Sequence, residues 1–298
     1  QKLPSVCHLS WGRRQEEYRC ELADIIPIIN DLIKDGRLEF DGKVYQLEPV
    51  LVCDLKALVK FMGIYACNHP KAKWRCPWCL VQNSQLADFG IQRWPLQRKD
   101  WDTINRGGLK RAKENFARNN AGIIGTPTFE FAMDHVLPCR LHFLMAVTRK
   151  LYELLMTETF DNPALEEAFL GILASLKLKL VKETSDEGKK RTFLERVKKS
   201  RFGRPEYLRI IELYQDLIAV LERGANTETQ QAKVEKTKVV WQQYHRLISV
   251  AVQPKVNITE KQWLQEALPF GNAFIARYAK QDVTTYIHIF RLSHWLLP

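Results

Sequence analysis

Apolar residues recur at helical spacing through Leu22, Ile25, Ile26, Ile29, Leu32 and Ile33, which predicts a helix over Glu16–Lys34. Asp35-Gly36 supplies its stop. Two short polar-apolar runs, Leu38–Phe40 and Lys43–Leu47, flank Asp41-Gly42, a pairing that favours a tight hairpin turn. Val50-Leu51-Val52-Cys53 is almost wholly apolar, as expected of a strand buried on both faces. It ends at Asp54, and Leu55–Met62 then reads as a helix, so Asp54 stands where a strand hands over to a helix.

From Gly63 to Arg106 the pattern is irregular and rich in Trp, Cys and Pro. Leu109–Asn119 is a basic helical stretch, and Gly122–Pro138 is broken by Gly125 and Pro127. From Leu141 onward helical periodicity dominates. It predicts helices over Leu141–Thr157, Pro163–Leu180, Arg191–Lys199, Pro205–Arg223, Thr229–Ala251, Thr259–Leu268, Gly271–Lys280 and Thr284–Leu297. Gly188–Arg204 is a basic connector and Gly224-Ala225-Asn226 a helix break. The fold class is therefore α/β plus a large α-helical part. Three segments follow: residues 1–62, a loop-rich region 63–140, and a helical region 141–298.

Charge changes the picture. Lys and Arg outnumber Asp and Glu by 45 to 34, for a formal net charge of +11. A polyanion such as nucleic acid is the partner this charge suggests, because neutralised phosphates release counterions, and a basic surface without nucleic acid is the alternative. DNA is the partner in the family resemblance given below. Candidate contacts are Lys110, Arg111 and Lys113 in one basic stretch, and Lys189, Lys190, Arg191, Lys198, Lys199 and Arg201 in another. A solvated helix face is the competing account of each run. Trp74, Trp78, Trp94 and Trp101 are expected in a core rather than stacked on bases. The longest apolar stretch, Ile287–Pro298, is short and contains Arg291 and His294, so no membrane span is expected. The chain opens on Gln1, which leads us to expect a longer parent polypeptide.

The seven cysteines include one tightly spaced pair, Cys76-Pro77-Trp78-Cys79, whose thiolates can reach one tetrahedral zinc ion. The odd number, without a secretory signal pattern, indicates a reduced intracellular setting. Further ligands are available nearby in Cys67 and His69, or far along the chain in His288 and His294. The latter lie six positions apart and need a bent or ending helix to converge. Buried structural cysteines are the alternative. A redox pair is disfavoured, because such pairs normally open a helix directly after a strand. Asp54 is open to two readings as well: a helix N-cap, or one carboxylate of a two-metal site that requires several.

In their order these segments resemble the RNase H-like DDE transposases of eukaryotic DNA transposons, in particular the Transib transposases and the catalytic subunit of the V(D)J recombinase. The resemblance is carried by Leu51-Val-Cys-Asp54 running through a helix to Gly63, followed by Cys76-Pro-Trp-Cys79. Met133-Asp-His-Val-Leu-Pro-Cys139-Arg-Leu-His142 is similar to the family's Asp-x-Leu-His segment, with Cys139 standing where the family usually has Asp. Thr285-Tyr-Ile-His288 and His294 resemble its closing histidine pair, with a spacing one residue longer than in the recombinase.

The resemblance implies a partial RNase H-like core with a helical zinc-binding insertion, in a nuclear protein of transposable-element origin that acts in DNA recombination. Asp54 would be the second of three catalytic acids, with the other two outside this chain. Cys76, Cys79, His288 and His294 would hold structural zinc. Mg²⁺ or Mn²⁺ would serve DNA cleavage and strand transfer in the complete parent, and this chain is expected to be inactive. Self-association is left open. The alternative is a domesticated, non-catalytic zinc-containing module that binds nucleic acid or protein.

Overall fold

The computed structural model describes residues 22–65, 67, 69, 72–79, 81–88, 122, 127–131, 135–158, 162–182, 184, 187–189, 192–200, 202–251 and 259–291. The expected basic helix Leu109–Asn119 lies outside the described residues. The protein is mostly helical with a few short strands, an α/β part joined to a large helical part. It divides into two compact units. One comprises Gln1–Asn83 with Arg93–Leu137, the other Ser84–Gln92 with Pro138–Pro298.

In the first unit, helix α1 spans Ile25–Asp35 and closes at Gly36 in the left-handed conformation, φ 60°. The helix begins later than the expected Glu16; Leu22–Asp24 form a turn, and residues 16–21 lie outside the described residues. Pro27 explains the late start. It lacks an N–H and is tolerated in a first helical turn, but would break a helix running through it. Strands β1 (Arg37–Phe40) and β2 (Lys43–Gln46) form the anticipated hairpin, with Phe40 opposite Lys43. Asp41 and Gly42 take φ 53° and 69°, the positive values that a type I′ turn demands.

Strand β3 (Leu51–Cys53) pairs with β4 (Val136–Pro138), and helix α2 (Leu55–Phe61) follows directly. The expectation of a strand buried on both faces is not met, since Val52 is 53% exposed and Leu51 and Cys53 are half-buried. Leu51 and Cys53 share one face of β3 and Val52 points to the other, so β3 turns only one face inward. The core of this unit lies under α2, where Leu58, Met62 and Val81 have no exposed surface. Phe61 packs against Phe129 with ring centroids 5.3 Å apart, which ties the end of α2 to residues near β4.

The second unit is built on α3 (Arg140–Thr157). Around it run α4 (Pro163–Ser175), α5 (Phe193–Lys199), α6 (Arg204–Glu212), α7 (Tyr214–Gly224), α8 (Glu228–Ala251), α9 (Glu260–Arg277) and α10 (Thr285–Arg291). Three boundaries differ from expectation. Helix α4 ends at Ser175 rather than Leu180, because Lys177 turns left-handed (φ 56°) and Leu178 N–H donates back to the Leu173 carbonyl. The helix expected over Pro205–Arg223 is two helices, broken at Leu213 (φ −108°, ψ 21°). The expected break near Pro269 does not occur, and α9 runs through it. A mid-helix proline costs about 3 kcal/mol. Trp263, Phe270 and Phe274 are fully buried on either side of it, and each contributes roughly 1.5–3 kcal/mol by burial, so continuity wins.

An aromatic core holds these helices together. Tyr244 of α8 lies 5.7 Å from Phe270 of α9 and 5.9 Å from Phe290 of α10. Phe290 stacks on Phe143 of α3 at 5.9 Å. The Tyr244 hydroxyl is satisfied inside this core, 2.6 Å from Thr148 Oγ1 and 3.2 Å from the Leu144 carbonyl. Burial pushes its pKa far above the usual phenol range, so it remains a neutral donor.

Candidate metal centre

Residues 73–83 fold back on themselves as a small antiparallel turn. Trp74 bridges Gln82, Arg75 N–H donates to the Val81 carbonyl at 3.0 Å, and Asn83 N–H donates to the Lys73 carbonyl at 3.0 Å. Cys76-Pro77-Trp78-Cys79 forms the tip. Both cysteines have no exposed surface, and their sulfurs lie within 4.8 Å of each other. Trp78 N–H points at Cys76 Sγ, 3.4 Å away. An amide directed at a sulfur two residues back stabilises negative charge on it, which suits a thiolate ligand.

Trp78 also anchors the turn. Its indole N–H donates to the Val136 carbonyl on β4 at 2.7 Å, and the ring is 3% exposed. Trp78 is thus a core residue, as expected. Arg75 Nη1 donates to the His69 carbonyl at 2.9 Å, and the Tyr65 hydroxyl lies 3.2 Å from His69 Nδ1. Burial holds the Arg75 guanidinium below its ordinary pKa, with the neighbouring Cys67 acting the other way. Cys67 is fully buried. Among the described residues, neither Cys67 nor His69 joins the thiol pair in a ligand-sized group.

In the second unit, His288 sits on α10 and is 1% exposed. Its N–H donates to the Thr284 carbonyl at 3.0 Å, and Trp263 Nε1 donates to the Phe290 carbonyl at 3.1 Å, which fixes α10 on α9. His294 lies outside the described residues.

Asp54 caps α2. Its Oδ1 accepts from Lys56 N–H at 2.7 Å and Ala57 N–H at 3.0 Å. The residue is 7% exposed, and Oδ2 is buried with no hydrogen-bond partner among the described residues. One carboxylate oxygen therefore remains for a cation. Among the described residues, Asp54 belongs to no group of three or more metal-sized ligands, so the several carboxylates of a two-metal site are not assembled there.

The basic candidates divide. Lys189 is exposed beside Glu187, 3.7 Å away, and Lys198 and Lys199 are exposed in the last turn of α5. Lys110, Arg111, Lys113, Lys190, Arg191 and Arg201 lie outside the described residues. No membrane-length apolar helix is found among the described residues.

Three features escaped the sequence reading: the Trp78–Val136 bond, the contact of His142 with Cys139 at 3.1 Å, and the ion pair of Glu158 with Arg277. The second had a local signal, the Cys-x-x-His spacing at a helix start; the third had charges at helix ends, but which distant charges pair cannot be read from spacing. Neither a protein-family model nor a curated protein matches the chain.

Proposed function

We propose that this chain is a transposase-derived DNA-binding polypeptide with a structural zinc site, from the RNase H-like DDE lineage near the Transib and V(D)J recombinase group. One observation carries the reading: a strand-terminal Asp54 caps a helix, and a buried thiol pair on a tight turn follows it. On this reading the first unit is a partial RNase H-like core, and the helical unit belongs to a zinc-bearing insertion. The protein is nuclear.

On this reading Cys76 and Cys79 hold the zinc, with His288 and His294 completing the set as the resemblance implies. The donor set supports this: two buried thiols, one receiving an amide N–H, and a buried imidazole. Bound zinc supplies structural free energy, on the order of 10 kcal/mol, where local secondary structure is sparse. Within the first unit the chain's own residues prepare for it, since Trp78 orients the turn that carries both sulfurs.

The parent activity is DNA cleavage and strand transfer supported by Mg²⁺ or Mn²⁺. Asp54 is the residue of this chain that would touch such an ion, through Oδ2. One acid does not build the site, so this chain is expected to bind DNA without joining strands. A second reading, a domesticated non-catalytic zinc module, is favoured by the use of Asp54 Oδ1 as a helix cap.

Elemental analysis of the purified chain, alongside Cys76→Ser and His288→Asn, tests the zinc assignment. The expected result is about one zinc per chain, lost in both variants. Zinc retained in Cys76→Ser overturns the assignment. DNA binding is expected to weaken steeply with salt, and salt-independent binding opposes the DNA reading. A Mg²⁺-dependent nicking activity abolished by Asp54→Ala removes the non-catalytic alternative.

A further inference from the structure

The β1–β2 hairpin leaves apolar side chains open. Leu38, Phe40, Val44 and Tyr45 are all exposed, Phe40 by 68% and Val44 by 62%. No residue of either strand is buried. A two-stranded hairpin is at best marginally stable by itself, and an open strand edge is a template for further pairing. Among the described residues, β1 pairs with β2 and with no other strand.

The open edge has a definite chemistry. Phe40 and Lys43 flank the two-residue turn, where the flanking residues share their main-chain hydrogen bonds. Bonded pairs then alternate along the ladder. Leu38 is next to bond with β2, and beyond it Leu47 N–H donates to the Gly36 carbonyl at 2.8 Å. The N–H and C=O groups of Arg37 and Glu39 therefore point away from β2. Both residues are exposed, and they carry opposite charges.

This edge is complementary to itself. Antiparallel pairing with β1 of a second copy sets Arg37 against Arg37, Glu39 against Glu39, or Arg37 against Glu39. Like charges directly opposite destabilise a sheet, and opposite charges stabilise it. The first register also sets Glu39 against Asp35 in α1, and the second sets Arg37 against Asp41 in the turn. Only the third keeps both outward residues of each copy bonded to a strand. Its two-fold axis passes Leu38, so Leu38 meets its counterpart on the face that carries Phe40 and Tyr45. One apolar strip then runs across both copies.

We propose that two copies of this chain associate through their β1 edges into a four-stranded antiparallel sheet, with Arg37 of each copy opposite Glu39 of the other. The inference rests on neither the zinc nor the DNA assignment.

Sedimentation velocity of the full chain, freed of nucleic acid so that DNA does not bridge copies, tests it over a wide range of concentration. The expected result is a reversible equilibrium between one chain and two. Arg37→Glu and Glu39→Arg each set like charges opposite at both pairs and are expected to abolish the dimer. An equimolar mixture of the two variants restores opposite charges and is expected to recover it, as is a chain carrying both changes. Both positions are exposed, and circular dichroism checks that the variants fold. A monomer at every concentration in the unaltered chain overturns the proposal and leaves the edge to an extended segment of another protein. A dimer that survives either single change overturns it by placing the interface elsewhere. Loss in both variants without recovery in the mixture overturns the register. The measurement on the unaltered chain needs no variant, so a folding defect does not shelter the proposal.

Discussion

The indole nitrogen of Trp78 donates a 2.7 Å hydrogen bond to the main-chain carbonyl of Val136, 58 residues further along, and both groups are buried. This bond fastens the Cys76–Cys79 turn to β4, the strand beside β3 and Asp54. It links the two features on which the proposed function rests.

Trp78→Phe keeps most of the ring but removes the donor and leaves a buried carbonyl unsatisfied. We expect a loss of about 1–3 kcal/mol in chemical denaturation. Zinc should also be released at lower chelator concentration than from the unaltered chain, because the turn that orients both sulfurs is loosened. Unchanged chelator sensitivity would separate the anchor from the metal site.

Asp54 can be probed by two substitutions that distinguish capping from metal binding. Asp54→Ala removes the acceptor for Lys56 and Ala57 and should cost about 0.5–2 kcal/mol. Asp54→Asn retains a capping oxygen and should stay within about 0.5 kcal/mol of the parent. Thermal denaturation of the pair checks this; equal losses would mean that Oδ2, rather than the cap, carries the stability.

Arg277 and Glu158 form a largely buried ion pair, Nη2 to Oε1 2.5 Å, and Arg277 Nε also donates to Thr237 Oγ1 at 2.7 Å. Burial raises the Glu158 pKa above the usual carboxylate value, although Arg277 pulls the other way. A raised folded-state value means that the contribution from Glu158 is fully present below its unfolded pKa and is lost as pH rises through the folded one. Stability in the mildly acidic range should therefore gain from protonation of Glu158, and Glu158→Gln should flatten that dependence. Arg277→Met strands a buried carboxylate and should cost about 3–5 kcal/mol at neutral pH. The double change Glu158→Leu with Arg277→Met should cost less than Arg277→Met alone. Urea titrations across pH decide both points.

Lys198 and Lys199 are exposed at the end of α5, whose first turn is fixed by a Thr192–Glu195 capping box. If this face meets phosphates, replacing both lysines by Glu should weaken binding to a DNA duplex irrespective of its sequence. The slope of log affinity against log salt should also become shallower by about two. Fluorescence anisotropy at several salt concentrations measures it, and an unchanged slope places the interface elsewhere on the chain.

Local patterns in the amino-acid sequence determined a good deal. The Asp41-Gly42 turn, the handover at Asp54, the cap of α2 and most helix positions follow from interactions within a few residues. Backbone sterics, side-chain caps and hydrophobic periodicity all act at that range. The tertiary structure decided the rest. Pro269 sits inside a helix because buried aromatics on both sides outweigh its penalty, and Val52 is exposed because it points to the face of β3 opposite half-buried Leu51 and Cys53. The Trp78 anchor and the Glu158–Arg277 pair are likewise products of packing. Spacing alone presents the donors and charges, but which of them meet depends on how distant segments are brought together, and no local rule encodes that.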